Sequence, residues 1–202
     1  MTIILLVEGE TERSLTEKIR EFLNTHSQLH QQPRVALQTR KIKSIAPNAL
    51  GRQINLELQN PRVTAVVALI DVFPKHQNAE EAKQFLQNAA RCAGVTANFF
   101  PHAAQFDVEA WLLPYWGDIC TRIGVRQNSP GANPEQVNRI RPPSYRLEEL
   151  YNRANPPRTY KKTLEMPAIL KNKDLARSAN ACPEFKNLLN TLLNLSNLPQ
   201  LP

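Results

Sequence analysis

The stretch VTAVVALID, residues 63–71, decides the fold: eight apolar or β-branched residues run unbroken into a carboxylate. A strand apolar at every position has no polar face to offer water. It therefore belongs in the middle of a parallel sheet with helices over both faces. Upstream, IILLV at residues 3–7 is a second run of this kind, ended by Glu8-Gly9. After it Thr11 offers an N-cap, and Leu15, Ile19, Phe22 and Leu23 recur at helical spacing. A short strand fits residues 34–39, and a polar helix fits 46–58, ended by Asn60-Pro61. Downstream, residues 79–93 place Ala82, Phe85, Leu86 and Ala89 on one helical stripe. Residues 95–100 read as another strand, and 108–113 as the start of another helix.

Strand and helix alternate over this region, so the chain builds βαβ units around a parallel sheet of about four strands. The expected α/β core spans residues 1–126. Residues 127–202 change character: Ser129-Pro130-Gly131, Pro142-Pro143 and Pro156-Pro157 punctuate short helical pieces. They predict a helical C-terminal extension packed on the core. Its last helix, 183–193, carries Phe185, Leu188, Leu189, Leu192 and Leu193 on one side, and LSNLPQLP reads as a frayed tail.

Composition narrows the function. No apolar run reaches the roughly 18 residues a membrane helix needs, and MTIILLVEGE lacks the positive start of an export signal. Cys92, Cys120 and Cys182 form no CxxC pair and no zinc spacing. A cytoplasmic protein with reduced thiols is expected. GxxxxGK[ST], GxGxxG and GxSxG are all absent, which excludes a P-loop ATPase, a dinucleotide fold and a hydrolase elbow. The net charge of +7 favours an anionic partner, nucleic acid above all. Basic residues cluster at 34–52 and again at 139–177, around an acidic middle.

The candidate site follows from where strands end. In open α/β sheets, ligands sit at the carboxyl ends of the strands. Glu8 and Asp71 each end an apolar strand there, and adjacent carboxylates repel unless a cation joins them. Oxygen-only ligation suits Mg²⁺ or Mn²⁺. Glu12 lies in the first turn of the following helix, where it can share the Glu8 pocket or simply cap the helix. In FDVEAWL, residues 106–112, the spacing of Asp107 and Glu109 turns only one of them to the site. His102 is an alternative functional group at that corner. Arg158, Lys161 and Lys162 supply cations for a phosphate.

VEGETE at 7–12, LID at 69–71, FDVEAWL at 106–112, PPRTYKK at 156–162 and ACPEF at 181–185 together resemble a known pattern. It is that of the Toprim domain of topoisomerases, primases and overcoming-lysogenization-defect (OLD) nucleases. The chain is more closely similar to a Toprim-related family, the domain of unknown function DUF4276, which is encoded beside ABC-type ATPases in prokaryotes. The resemblance implies a Toprim-like, Rossmann-like fold and a metal-dependent nuclease acting on DNA more than RNA, with an ATPase partner in defence or DNA maintenance. It casts Glu8, Glu12, Asp71 and Glu109 as metal ligands. Glu8 or Glu12 serves as base, and Lys161 or Lys162 is the catalytic cation facing phosphate. The sequence departs from the usual DxD pair at Asp71-Val72-Phe73, where the second acid is missing. The alternative is therefore a catalytically degenerate Toprim-like module, an accessory subunit of an ATPase.

Overall fold

The computed structural model describes residues 2–131, 133–136 and 141–202. Four parallel strands form its sheet: β1 (Thr2–Val7), β2 (Ala36–Lys41), β3 (Val63–Asp71) and β4 (Phe99–Ala104), in the order β2-β1-β3-β4. The fold is thus the α/β class expected. Its helices are α1 (Glu10–Leu29), α2 (Pro47–Leu58), α3 (Ala79–Cys92), α4 (Trp116–Ile123), α5 (Pro143–Asn152), α6 (Lys162–Leu170), α7 (Leu175–Ala181) and α8 (Pro183–Leu195). Two 3-10 helices, Val108–Tyr115 and Pro134–Gln136, complete the described elements.

Side chains alternate across the central strands and feed two cores. Ile4 and Leu6 of β1, with Val66, Ala68 and Ile70 of β3, face α2 and α3. Ile3, Leu5, Val7, Val67 and Leu69 face the opposite way. There they join Leu15 and Ile19 of α1, Leu147 of α5, and Leu188, Leu189 and Leu192 of α8. Residues after 127 therefore share a core with the first strand.

Helices α2 and α3 pack closely in the smaller core. A Cβ on Gly51 would stand 2.2 Å from the Ala89 carbonyl oxygen and 2.9 Å from the Ala93 Cβ. Gly51→Ala gains about 1 kcal/mol of helix propensity, but overpacking against backbone costs about 3 kcal/mol. A net loss of about 2 kcal/mol is expected, read as a lower urea midpoint at unchanged slope.

Three boundaries differ from the sequence reading. Helix α1 begins at Glu10 with Gly9 as its N-cap, so Thr11 lies inside the helix. Strand β2 runs 36–41 rather than 34–39, and β4 runs 99–104 rather than 95–100. Asn98 takes a left-handed φ of 59° just before β4, so Val95 belongs to the turn after α3. Pro101 is tolerated because β4 is an edge strand and needs no donor on its outer side. The 108–113 helix is a 3-10 helix containing Pro114. The tail is not frayed. Leu198 is buried, the Leu201 N–H donates to Asn190 Oδ1 at 2.8 Å, and Lys186 Nζ meets the Pro202 carbonyl.

Candidate functional site

Strands β1 and β3 are neighbours in register, Val7 beside Leu69, so the residues that follow them meet at the carboxyl edge. Glu8 Oε2 accepts the Asp71 N–H at 3.2 Å, and Glu8 Oε1 pairs with Lys75 Nζ at 2.7 Å. Sequence reasoning does not find Lys75, in the loop after β3. A lysine four residues beyond a strand-end aspartate is its one available signal.

Glu12 is buried, and its Oε2 accepts the Gly9 N–H at 3.0 Å. A Cβ on Gly9 would stand 2.8 Å from that oxygen, so glycine is what lets the carboxylate close on the strand end. Burial raises the Glu12 pKa and the Glu8 charge adds to it. Hydrogen bonds from the Glu12 and Gly9 backbone hold it back in part.

Asp71 Oδ1 accepts the Val108 N–H at 3.1 Å, tying β3 to the 3-10 helix. Its pKa is pushed well up, by desolvation first and then by Glu12, Asp107, Glu109 and Glu8. Asp107 and Glu109 both belong to this charge cluster, contrary to the expectation that only one would. Asp107 occupies the N-cap with extended dihedrals, φ −145° and ψ 165°, outside the helical repeat on which that expectation rests. Its Oδ2 accepts the Ser144 N–H at 3.2 Å from the first turn of α5. Ser144 gives no signal in the sequence. Burial raises the Asp107 pKa, against the opposing pull of Ser144 and Lys162.

Glu109 is fully buried, and Lys162 Nζ stands 3.0 Å from its Oε1. Burial, with Asp107, pushes Glu109 up to about 7 despite that lysine. Among the described residues, Glu109 Oε2 and Asp107 Oδ1 are buried with no hydrogen-bond partner, as is the Tyr160 hydroxyl. Tyr160 is raised by burial first and by the Glu109 charge next. Lys161 stands exposed at the N-cap of α6, and Arg158 is also exposed. Of the basic residues at 139–177, Arg139 lies outside the described residues. His102 packs away from the acids, its Nε2 3.0 Å from Thr191 Oγ1 of α8. Burial, then Lys83, lowers its pKa to about 4, so it is a neutral core histidine at physiological pH.

The donors are all oxygens, they repel one another, and two buried ones lack partners, which fits the chemistry of a hard divalent cation. Among the described residues, however, no three Asp, Glu, His or Cys side chains converge as a ready ligand set. Glu8 turns instead to Lys75, and Glu109 to Lys162. All three cysteines are free, Cys120 and Cys182 buried and Cys92 exposed. Among the described residues no helix is long and apolar enough to cross a membrane.

Fold and site together define an α/β domain with a four-stranded parallel sheet and an electrostatically strained acidic cluster at its carboxyl edge. The chain belongs to the family described as Domain of unknown function (DUF4276), whose model matches residues 7–193. No curated protein matches it. Among solved structures, it is similar to the C-terminal region of the Xanthomonas campestris pv. campestris OLD protein. The two share 14% identity and a TM-score of 0.46, over 94% of this chain and 97% of that one.

Proposed function

We propose that this chain is a divalent-metal-dependent phosphodiesterase acting on nucleic acid, DNA ahead of RNA. It would work with an ABC-type ATPase partner in prokaryotic defence or DNA maintenance. The observation that carries the reading is Glu109: a fully buried carboxylate with one unpartnered oxygen, beside Lys162 and within reach of the charges of Asp107 and Asp71. Beyond Lys162 or protonation, a bound cation is a further way to relieve a carboxylate placed like this. Glu8, Glu12, Asp71 and Glu109 are the residues that would hold it. A divalent ion bound there supplies positive charge to the phosphate and a more acidic water.

Hydrolysis forms one P–O bond from water and breaks one P–O bond of the diester, leaving a phosphate monoester and an alcohol. Glu12, whose pKa is raised, is suited to take the water's proton. Lys162 is suited to meet the phosphate oxygens once Glu109 is otherwise neutralised.

A second reading is favoured by two observations: the missing acid at Val72-Phe73 and the absence of a ready ligand set among the described residues. In it the domain is a degenerate accessory subunit of the ATPase. Calorimetric titration of Mn²⁺ and Mg²⁺ separates the two. Saturable binding by the wild type that is lost in Glu8→Ala, together with cleavage of a labelled DNA duplex or single strand, is the expected result. A folded wild type that binds neither ion would sink the nuclease reading and leave the accessory one.

A further inference from the structure

Resting on the nucleic-acid reading above, we propose that a cleft between α1, the outer edge of β2 and the start of α6 is the track along which a single nucleic-acid strand reaches the acidic cluster. The cleft holds about 490 Å³ and is lined by Arg13, Ser14, Arg20, Gln38, Arg40 and Thr163, among others. Its lining includes the chain neighbours of two site residues. Arg13 follows Glu12 in the chain, and Thr163 follows Lys162, the cation on Glu109.

Its charge is uneven in a useful way. Arg20 pairs with Glu17, and its Nη2 donates to the Leu37 carbonyl at 3.0 Å, so it builds the wall. Arg40 is exposed, and among the described residues its guanidinium bonds only neutral groups, Gln38 Oε1 and the Thr39 carbonyl. It keeps its full charge for a ligand. Lys41 and Lys43 follow it, exposed, and β2 ends at the same carboxyl edge as β1, with Lys41 in register with Val7. The basic line therefore runs toward Glu8 and Glu12.

Among the described residues, no aromatic ring lines the cleft. Stacking on bases is how single-strand grooves gain base contact. Without it, the track grips phosphates and carries no sequence preference. The carboxylates of the site repel a polyanion, so a basic line outside them is needed to hold the strand there.

The test is fluorescence anisotropy of a labelled single-stranded DNA oligonucleotide in EDTA, across a salt series. It compares the wild type with Arg40→Gln/Lys41→Gln and with Arg62→Gln/Arg91→Gln, whose changes lie on and beside the α2–α3 layer. The first variant should bind at least ~10-fold more weakly, and its salt slope should fall by about 1.4, two phosphate contacts at 0.7 each. The second should match the wild type. Equal affinity and slope in both variants, or no DNA binding by the wild type, overturns the track. Hydrolysis of bis(p-nitrophenyl) phosphate by the wild type in Mn²⁺ tests the nuclease reading separately. Binding that depends on Arg40 and Lys41 without such hydrolysis keeps the track and removes the nuclease.

Discussion

Asp71→Asn should leave a better-folded protein that hydrolyses phosphodiesters roughly 10³-fold more slowly. The loss follows if Asp71 is one of the oxygens that hold a cation, because such a ligand supports several kcal/mol of charge stabilisation in the transition state. The gain follows from linkage. The Asp71 pKa is raised in the folded state, by burial first and then by four other carboxylates. A group raised in this way contributes stability at low pH that is lost as pH rises through its folded pKa. At neutral pH the metal-free protein therefore carries a penalty that the amide removes. The substituted side chain still presents a carbonyl oxygen to the Val108 N–H, so the 3-10 helix stays tied to β3. Neutralising the charge should yield about 1 kcal/mol, the usual scale when a strained functional group is relieved. Thermal melts in EDTA and single-turnover cleavage in Mn²⁺ read the two effects. A variant that melts lower than the wild type in EDTA would show that Asp71 stabilises rather than strains the fold.

Lys162→Met should destabilise the protein by about 2–3 kcal/mol at pH 7, and by much less at pH 5. Burial alone would lower the Lys162 pKa, but Glu109, Asp107 and Asp71 outweigh it and hold it above the ordinary range. Removing one partner of a buried pair costs about 3–5 kcal/mol. Here the cost is smaller, because the lysine side chain is 39% exposed and solvent screens the pair. Glu109 can also escape by protonation, since its pKa already sits at about 7. As pH falls, Glu109 is neutralised in both proteins and the difference closes. Glu109→Gln should rescue the variant at pH 7. A loss that persists unchanged at pH 5, or survives in the double variant, would assign Lys162 to packing alone.

The parts of this site legible in the sequence are those set by local pattern. An apolar run that stops at a carboxylate states both that a strand is buried and where it ends, so VEGETE and LID alone place Glu8 and Asp71 beside each other. Glu12 follows from one helical turn. The sequence reading starts β4 four residues early because Val95 looks like its beginning; an edge strand can carry Pro101 and His102, and Asn98 sets the turn. Other features are set by contacts distant in the chain. Ser144 reaches Asp107 across 37 residues. Lys162 is distinguished from Lys161 only by which way α6 leaves its N-cap. Asp107 faces the acids because an N-cap residue does not follow the helical repeat.

The chain's two tryptophans, Trp111 and Trp116, lie in the core that β1 shares with α8. Trp111 stands two residues from Glu109, with its ring stacked on Phe185 at 4.5 Å and its Nε1–H donating to Glu135 Oε1 at 3.0 Å. The helix that carries Glu109 thus holds a built-in fluorophore. Any event that lifts α8 from the sheet unstacks that indole and wets it, shifting its emission to the red. A cation or a strand that merely fills the carboxyl edge leaves the indole dry, so the colour of the emitted light separates loading the site from loosening the domain.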